Sequence, residues 1–190
     1  MATWKFDPLH TQVEFSTKHL GMMTVRGNFT EVQASGQIYP DDPERSSVEV
    51  TINSASIRTH NEQRDNDLRG TNLLDVEKYP TITFKSTKIK KETEDRGTMT
   101  GDLTIKGVTR PVTLKMVRYG EFRDPGMGHR IGYAAETKIN RKDFGIQFDY
   151  VLDGRLVVGN EIQINIEGEV VEVEEKEPAK TTASSRTASQ

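Results

Sequence analysis

Apolar and polar residues alternate along this chain with a period of two, which restricts most of it to strands with one greasy and one wet face. The alternation is clearest in Val48-Glu49-Val50-Thr51-Ile52, Thr81-Ile82-Thr83-Phe84, Leu103-Thr104-Ile105-Lys106 and Ile162-Gln163-Ile164-Asn165-Ile166. Weaker runs cover 12–17, 25–39, 112–122 and 131–139, so eight strands are expected. Strands wetted on one face pair antiparallel, because strands of parallel sheets are apolar on both. The connections agree. Lys106-Gly107 suits a tight hairpin, and Asp124-Pro125-Gly126-Met127-Gly128 and Tyr39-Pro40-Asp41-Asp42-Pro43 mark further reversals.

Two segments break the pattern. Residues 60–70, HNEQRDNDLRG, read as a short helix capped by Asn61 and stopped by Gly70 in a left-handed conformation. Asn140-Arg141-Lys142-Asp143-Phe144 reads as a helical turn ending at Gly145. Two short helices cannot cover eight strands, so the sheet closes on itself or folds into a sandwich. Periodicity does not choose between the two.

Only 33% of the 190 residues are hydrophobic and 29% are charged, which allows one economical core. With 26 basic against 29 acidic residues, the net charge of −3 offers no general attraction to phosphate backbones, and nucleic acid is not an expected partner. The absence of cysteine removes disulfides, thiolate metal sites and thiol nucleophiles. No apolar stretch approaches the roughly 20 residues that cross a bilayer as a helix. Residues 1–8 show no charged stretch followed by an apolar run, so the expected location is the cytoplasm. Residues 174–190, EEKEPAKTTASSRTASQ, have almost nothing to bury and are expected to form a disordered tail after a domain over 1–173.

The candidate inward residues are Phe15, Val48, Val50, Ile52, Phe84, Leu103, Ile105, Val112, Leu114, Tyr133, Ile162 and Ile164, either ordinary core or the lining of a cavity. If they line a cavity, each methylene buried there is worth about 0.8 kcal/mol, so a long hydrocarbon chain needs few polar contacts. Residues 64–75 are nominated as a lid, with Leu68, Leu73 and Leu74 over one mouth, and Phe144 is a further candidate for the apolar lining. His19, Arg64, Asp65 and Arg141 are the candidates for meeting a head group, although ion pairing is the commoner role for such charges. His10, His19, His60 and His129 show no metal-binding spacing, and no metal site is expected. There is no GxSxG, Walker or GxGxxG motif, and no catalytic residue is assigned. Asp7 with His10 is a conceivable acid–base pair, but an Asx turn at Asp7-Pro8 explains the same residues.

An ordered set of segments resembles the YceI family: Trp4-Lys5-Phe6-Asp7-Pro8-Leu9-His10-Thr11, Phe15-Ser16-Thr17-Lys18-His19-Leu20-Gly21, Val25-Arg26-Gly27-Asn28-Phe29, Ser56-Ile57-Arg58-Thr59, Arg64-Asp65-Asn66-Asp67-Leu68, Tyr79-Pro80-Thr81-Ile82-Thr83-Phe84, Gly101-Asp102-Leu103-Thr104-Ile105-Lys106-Gly107-Val108 and Arg141-Lys142-Asp143-Phe144-Gly145. The resemblance spans residues 4–172 and departs from the family pattern at Leu73-Leu74-Asp75, where an aromatic often precedes the Asp. It implies a closed, eight-stranded, lipocalin-like antiparallel barrel with an elongated apolar tunnel, and often a homodimer. It also implies a long-chain isoprenoid lipid as ligand, such as a quinone precursor, with no other cofactor. The expected function is binding, sequestration or transport without chemistry; the alternative is a barrel enzyme that moves a proton on a lipid, using His19, Asp65 or Arg64.

Overall fold

The computed structural model describes residues 3–173, so the expected tail at 174–190 lies outside the described residues. Among the described residues, twelve strands, one α-helix and three 3-10 turns follow one another. In order the strands are β1 (Thr3–His19), β2 (Met23–Phe29), β3 (Val32–Gln37), β4 (Ser47–Asn53), β5 (Ile57–Arg58), β6 (Thr81–Lys91), β7 (Arg96–Ile105), β8 (Val108–Asp124), β9 (Gly128–Asn140), β10 (Val151–Leu152), β11 (Arg155–Leu156) and β12 (Glu161–Val173). The helix α1 (Glu62–Arg69) lies between β5 and β6.

Ten strands form one curled sheet in the order β3-β4-β6-β7-β8-β9-β12-β1-β2-β5, and every pairing is antiparallel. This corrects the expectation of a closed eight-stranded barrel: the sheet has ten strands, and its hydrogen-bonded order ends openly at β3 and β5. The two extra strands are β5, two residues that pair with the end of β2, and one that arises at residues 25–39. That run is not one strand but two, bent at Thr30-Glu31, so β2 ladders with β1 while β3 ladders with β4. The corner is held by backbone bonds from Thr30 N to Ser56 O (3.2 Å) and from Asn53 N to Glu31 O (3.0 Å). The chain itself therefore crosses the gap that the ladder leaves open.

Register puts apolar residues opposite one another on the inner face: Val50 faces Phe84, Phe84 faces Leu103, and Phe15 faces Ile164. Gly27 stands opposite Phe15, whose ring lies over it; a Cβ there would come within 2.5 Å of the ring and 2.7 Å of Arg58 O. Lys106 and Gly107 turn β7 into β8 with φ of 50° and 74°, a two-residue hairpin matched to strand twist. At the β8–β9 reversal, Asp124 Oδ1 accepts from Gly126 N (2.8 Å) and Met127 N (3.1 Å).

The helix is capped as expected, with Asn61 Oδ1 accepting from Arg64 N (2.9 Å). Gly70 departs from the expectation: its φ of −66° and ψ of 167° are extended, and the left-handed residue downstream is Asp75, φ 51°. The second turn, Arg141–Phe144, does stop at a left-handed Gly145, φ 75°. Among the described residues no helix is long and apolar enough to cross a membrane.

Candidate binding cavity

The inner face does not fill the space it encloses. Between the sheet walls lies a cavity of about 320 Å³, within the range of about 300–1,000 Å³ that holds small ligands. All sixteen apolar residues named from the sequence line it: Phe15, Val48, Val50, Ile52, Leu68, Leu73, Leu74, Phe84, Leu103, Ile105, Val112, Leu114, Tyr133, Phe144, Ile162 and Ile164. Several of these, including Phe15, Val50, Phe84, Val112, Ile162 and Ile164, face inward yet stay only half-buried. In a tightly packed core such residues would lose nearly all contact with solvent. The sheet is therefore hollow along its middle.

Its ends differ. Near α1, Leu73, Ile105, Phe144 and Ile146 are buried and interlock with Ile52, Leu103 and Ile139 into a continuous plug. At the opposite end a smaller cluster of Trp4, Ile131 and Val170, joined by Phe6, Ile38 and Tyr133, packs beneath one side of the sheet. The turn between β3 and β4 supplies Tyr39, Pro43 and Ser46 to the lining there, all half-buried.

Of the four head-group candidates, only Arg141 reaches the cavity. It is 3% exposed, and its guanidinium donates to Ile146 O (2.7 Å), Gly159 O (3.1 Å) and Val158 O (3.3 Å) and pairs with Asp149 at 3.4 Å. Those acceptors use the fork to tie the Arg141–Phe144 turn to the strand-like segment before β12. Asp149, drawn below the usual carboxylate range chiefly by Lys142, completes that tie.

The other three candidates sit elsewhere. Asp65, buried, accepts from Thr59 N (2.8 Å) and Thr59 Oγ1 (2.5 Å), while Arg64 donates to Thr59 Oγ1 (2.7 Å) and Thr59 O (2.8 Å). Both charges clamp α1 to the segment entering it, so the helix is a fixed part of the plug. His19 Nδ1 meets Val157 O at 2.9 Å on the surface and pins the β1–β2 hairpin to the segment before β12. None of the three lines the cavity.

Asp7 makes the expected Asx turn, accepting from Leu9 N (2.9 Å), and also lies 2.9 Å from His10 Nδ1. With Glu169 these two form a group of metal-ligand type, but the Arg130 guanidinium already bridges the carboxylates at 2.6 Å to Asp7 and 2.9 Å to Glu169. Neither Asp7 nor His10 touches the cavity, which separates this conceivable acid–base pair from any enclosed substrate.

Sequence reasoning missed part of the lining. Met99 and Ile89 were overlooked because β7 begins with Arg96-Gly97-Thr98-Met99-Thr100-Gly101, where glycines interrupt the alternation, and because β6 carries an irregularity between Ser86 and Lys88 that resets its inward positions. Ile38 and Tyr39 lie at a turn, where parity carries no signal.

Comparison with known proteins agrees with this architecture. A family model for the YceI-like domain matches residues 4–170. Protein YceI of Escherichia coli is 41% identical over 140 residues, 74% of this chain and 73% of that protein. The crystal structure of a Campylobacter jejuni YCEI protein is 34% identical, covers 84% of this chain and 90% of its own, and superposes with a TM-score of 0.69. A polyisoprenoid binding domain from Saccharophagus degradans, 14% identical, shares the fold with a TM-score of 0.64 over 91% of this chain and all (100%) of its own. On the extent of the family match and the identity to these relatives, the chain belongs to the YceI-like domain family.

Proposed function

We propose that this protein binds a long-chain isoprenoid-type lipid inside the curled sheet and carries or sequesters it without chemical change. The observation that supports this most is the hollow itself: about 320 Å³ enclosed almost wholly by aliphatic and aromatic side chains. Such a lining offers a hydrocarbon tail what water cannot. At about 0.8 kcal/mol per methylene, one five-carbon isoprene unit gains about 4 kcal/mol on entry. An isoprenoid suits it better than a flexible alkyl chain, because double bonds leave fewer rotors to immobilise. The structural likeness to a domain described as polyisoprenoid binding is consistent with this reading.

A carrier reading also accounts for the charged residues. Arg64 and Asp65 bind parts of this chain away from the cavity, Asp7 with His10 stands outside it, and Arg141, which reaches it, already shares its guanidinium among three carbonyls of this chain. Native mass spectrometry of protein purified without detergent tests the proposal. The expected result is an adduct of one lipid per chain that is recovered unchanged after incubation; an altered lipid, or an empty protein that takes up no polyprenyl chain, contradicts it.

A further inference from the structure

Two short hairpins leave the curled sheet near the Arg141–Phe144 turn, and both end in apolar side chains left exposed. β1 and β2 turn through Leu20 and Gly21, with φ of 51° and 71°, while β10 and β11 turn through Asp153 and Gly154, with φ of 47° and 73°. Such turns ask for residues that tolerate positive φ and do not ask for apolar neighbours. Yet Met22, Met23, Tyr150, Val151 and Leu152 beside them are 46–68% exposed. Grouped apolar side chains in water mark a surface that meets something. The two hairpins form one platform. His19 bridges Val158 in the antiparallel sense, Leu20 N donates to Val157 O (3.4 Å), Val157 N donates to Tyr150 O (2.9 Å), and Arg155 Nη1 donates to Leu20 O (3.4 Å). The chain from Val157 back to Asp153 therefore runs the same way as the chain from His19 to Met22, and the tips point outward together.

Charge says what the platform fits. Residues 18–26 and 149–157 carry the exposed cations Lys18, Arg26 and Arg155, and none of these pairs with a carboxylate among the described residues. Of the two carboxylates there, Asp149 is taken by Lys142 at 2.6 Å, which leaves Asp153 against three cations. The groove beside the exposed Tyr119, Phe122 and Met127 differs: Arg130, the one arginine lining it, is shared by Asp7 and Glu169. We propose that the β1–β2 and β10–β11 tips dock this protein on the surface of an anionic lipid bilayer, with Met22, Met23, Val151 and Leu152 among the acyl chains and Lys18, Arg26 and Arg155 among the head groups. Burial of apolar side chains and attraction of cations add at such a surface. The spacing fits. Lys18 lies level with Thr24, two residues or about 7 Å behind Met22, so a tip sunk about 5–10 Å brings the ammonium to the head groups. Methionine is flexible enough to settle among mobile chains, and Tyr150 suits a boundary where the ring is dry and the hydroxyl wet. This docking goes beyond the reading of the cavity and does not depend on it.

Co-flotation of the intact chain with vesicles tests the docking, using phosphatidylcholine alone and phosphatidylcholine mixed with phosphatidylglycerol. Binding to the mixed vesicles is expected to be at least about tenfold tighter and to weaken as salt rises. Lys18→Gln combined with Arg26→Gln should weaken it about thirtyfold, the worth of two surface cations. Met22→Ser combined with Leu152→Ser should weaken it at least about tenfold while melting with the parent. Phe122→Ser combined with Met127→Ser should leave it unchanged. Met22→Trp should add an emission that shifts to the blue on mixed vesicles, beyond any change that Trp4 shows in the parent. No binding to mixed vesicles, equal binding to both kinds, or an equal loss in the Phe122 and Met127 variant overturns the docking. A chain that binds no vesicle yet yields a lipid adduct by native mass spectrometry overturns the docking and leaves the cavity reading standing.

Discussion

Adding bulk to a protein interior ordinarily destabilises it, but a hollow one should respond in the opposite sense. Ala135 faces the cavity from the middle of β9, opposite Met116 on β8 and Ile166 on β12. Ala135→Leu adds three carbons to a site with room for them. At about 0.8 kcal/mol per buried methylene, the delipidated variant should gain about 2 kcal/mol over the delipidated parent. The same carbons take space from the tail, so lipid affinity should fall about thirtyfold, the equivalent of that energy. The scale is consistent with the size of the hollow. An empty cavity of about 320 Å³, at about 24 cal/mol per Å³, costs about 8 kcal/mol against a filled one, which is comparable to the whole stability of a typical domain. Urea denaturation of both proteins after lipid extraction is the assay, read as a higher midpoint at unchanged slope. A loss of about 1–3 kcal/mol, the usual result of overpacking, would refute the reasoning, because it would mean the side chains already interlock.

Three further predictions concern the frame around the cavity. Arg141→Lys should cost about 3 kcal/mol by the same assay, since an ammonium cannot reproduce a fork shared among three carbonyls; a change under about 0.5 kcal/mol would show that the turn holds itself. Gly27→Ala should cost more than about 2 kcal/mol, because the new methyl meets both the Phe15 ring and the Arg58 carbonyl, and the carbonyl belongs to a paired strand that cannot retreat; thermal melts within a degree or so of the parent would contradict this. Asp7 is held well below the usual carboxylate range, first by its hydrogen bond from Arg130 and then by His10. A depressed carboxyl stabilises fully above its unfolded value of about 3.9, and that contribution is lost as pH falls from there toward the folded value. Asp7→Asn should therefore lose less stability than the parent between about pH 6 and about pH 2.5; parallel losses would count against the assignment.

Much of this architecture was legible in the residues, and the part that was not has a common cause. The inward apolar set could be read because a strand's faces alternate strictly, so Val48, Val50 and Ile52 fall on one side whatever the sheet does elsewhere. Strand count was less accessible. The bend at Thr30-Glu31 does not interrupt the alternation, and β5, β10 and β11, two residues each, are too short to establish a period. The polar residues were the least legible. Arg141 and Asp65 look like ligands for an outside group, yet their partners are carbonyls and a threonine whose positions follow only from the folded chain.

The central claim is that the space inside the sheet is real and dry. Xenon binds apolar voids of this kind, and diffraction from a crystal of delipidated protein under xenon pressure would locate it directly. The account predicts xenon density among Ala135, Met116, Leu114 and Ile166. Uninterrupted side-chain packing through that region, with no xenon and no ordered lipid, would contradict it.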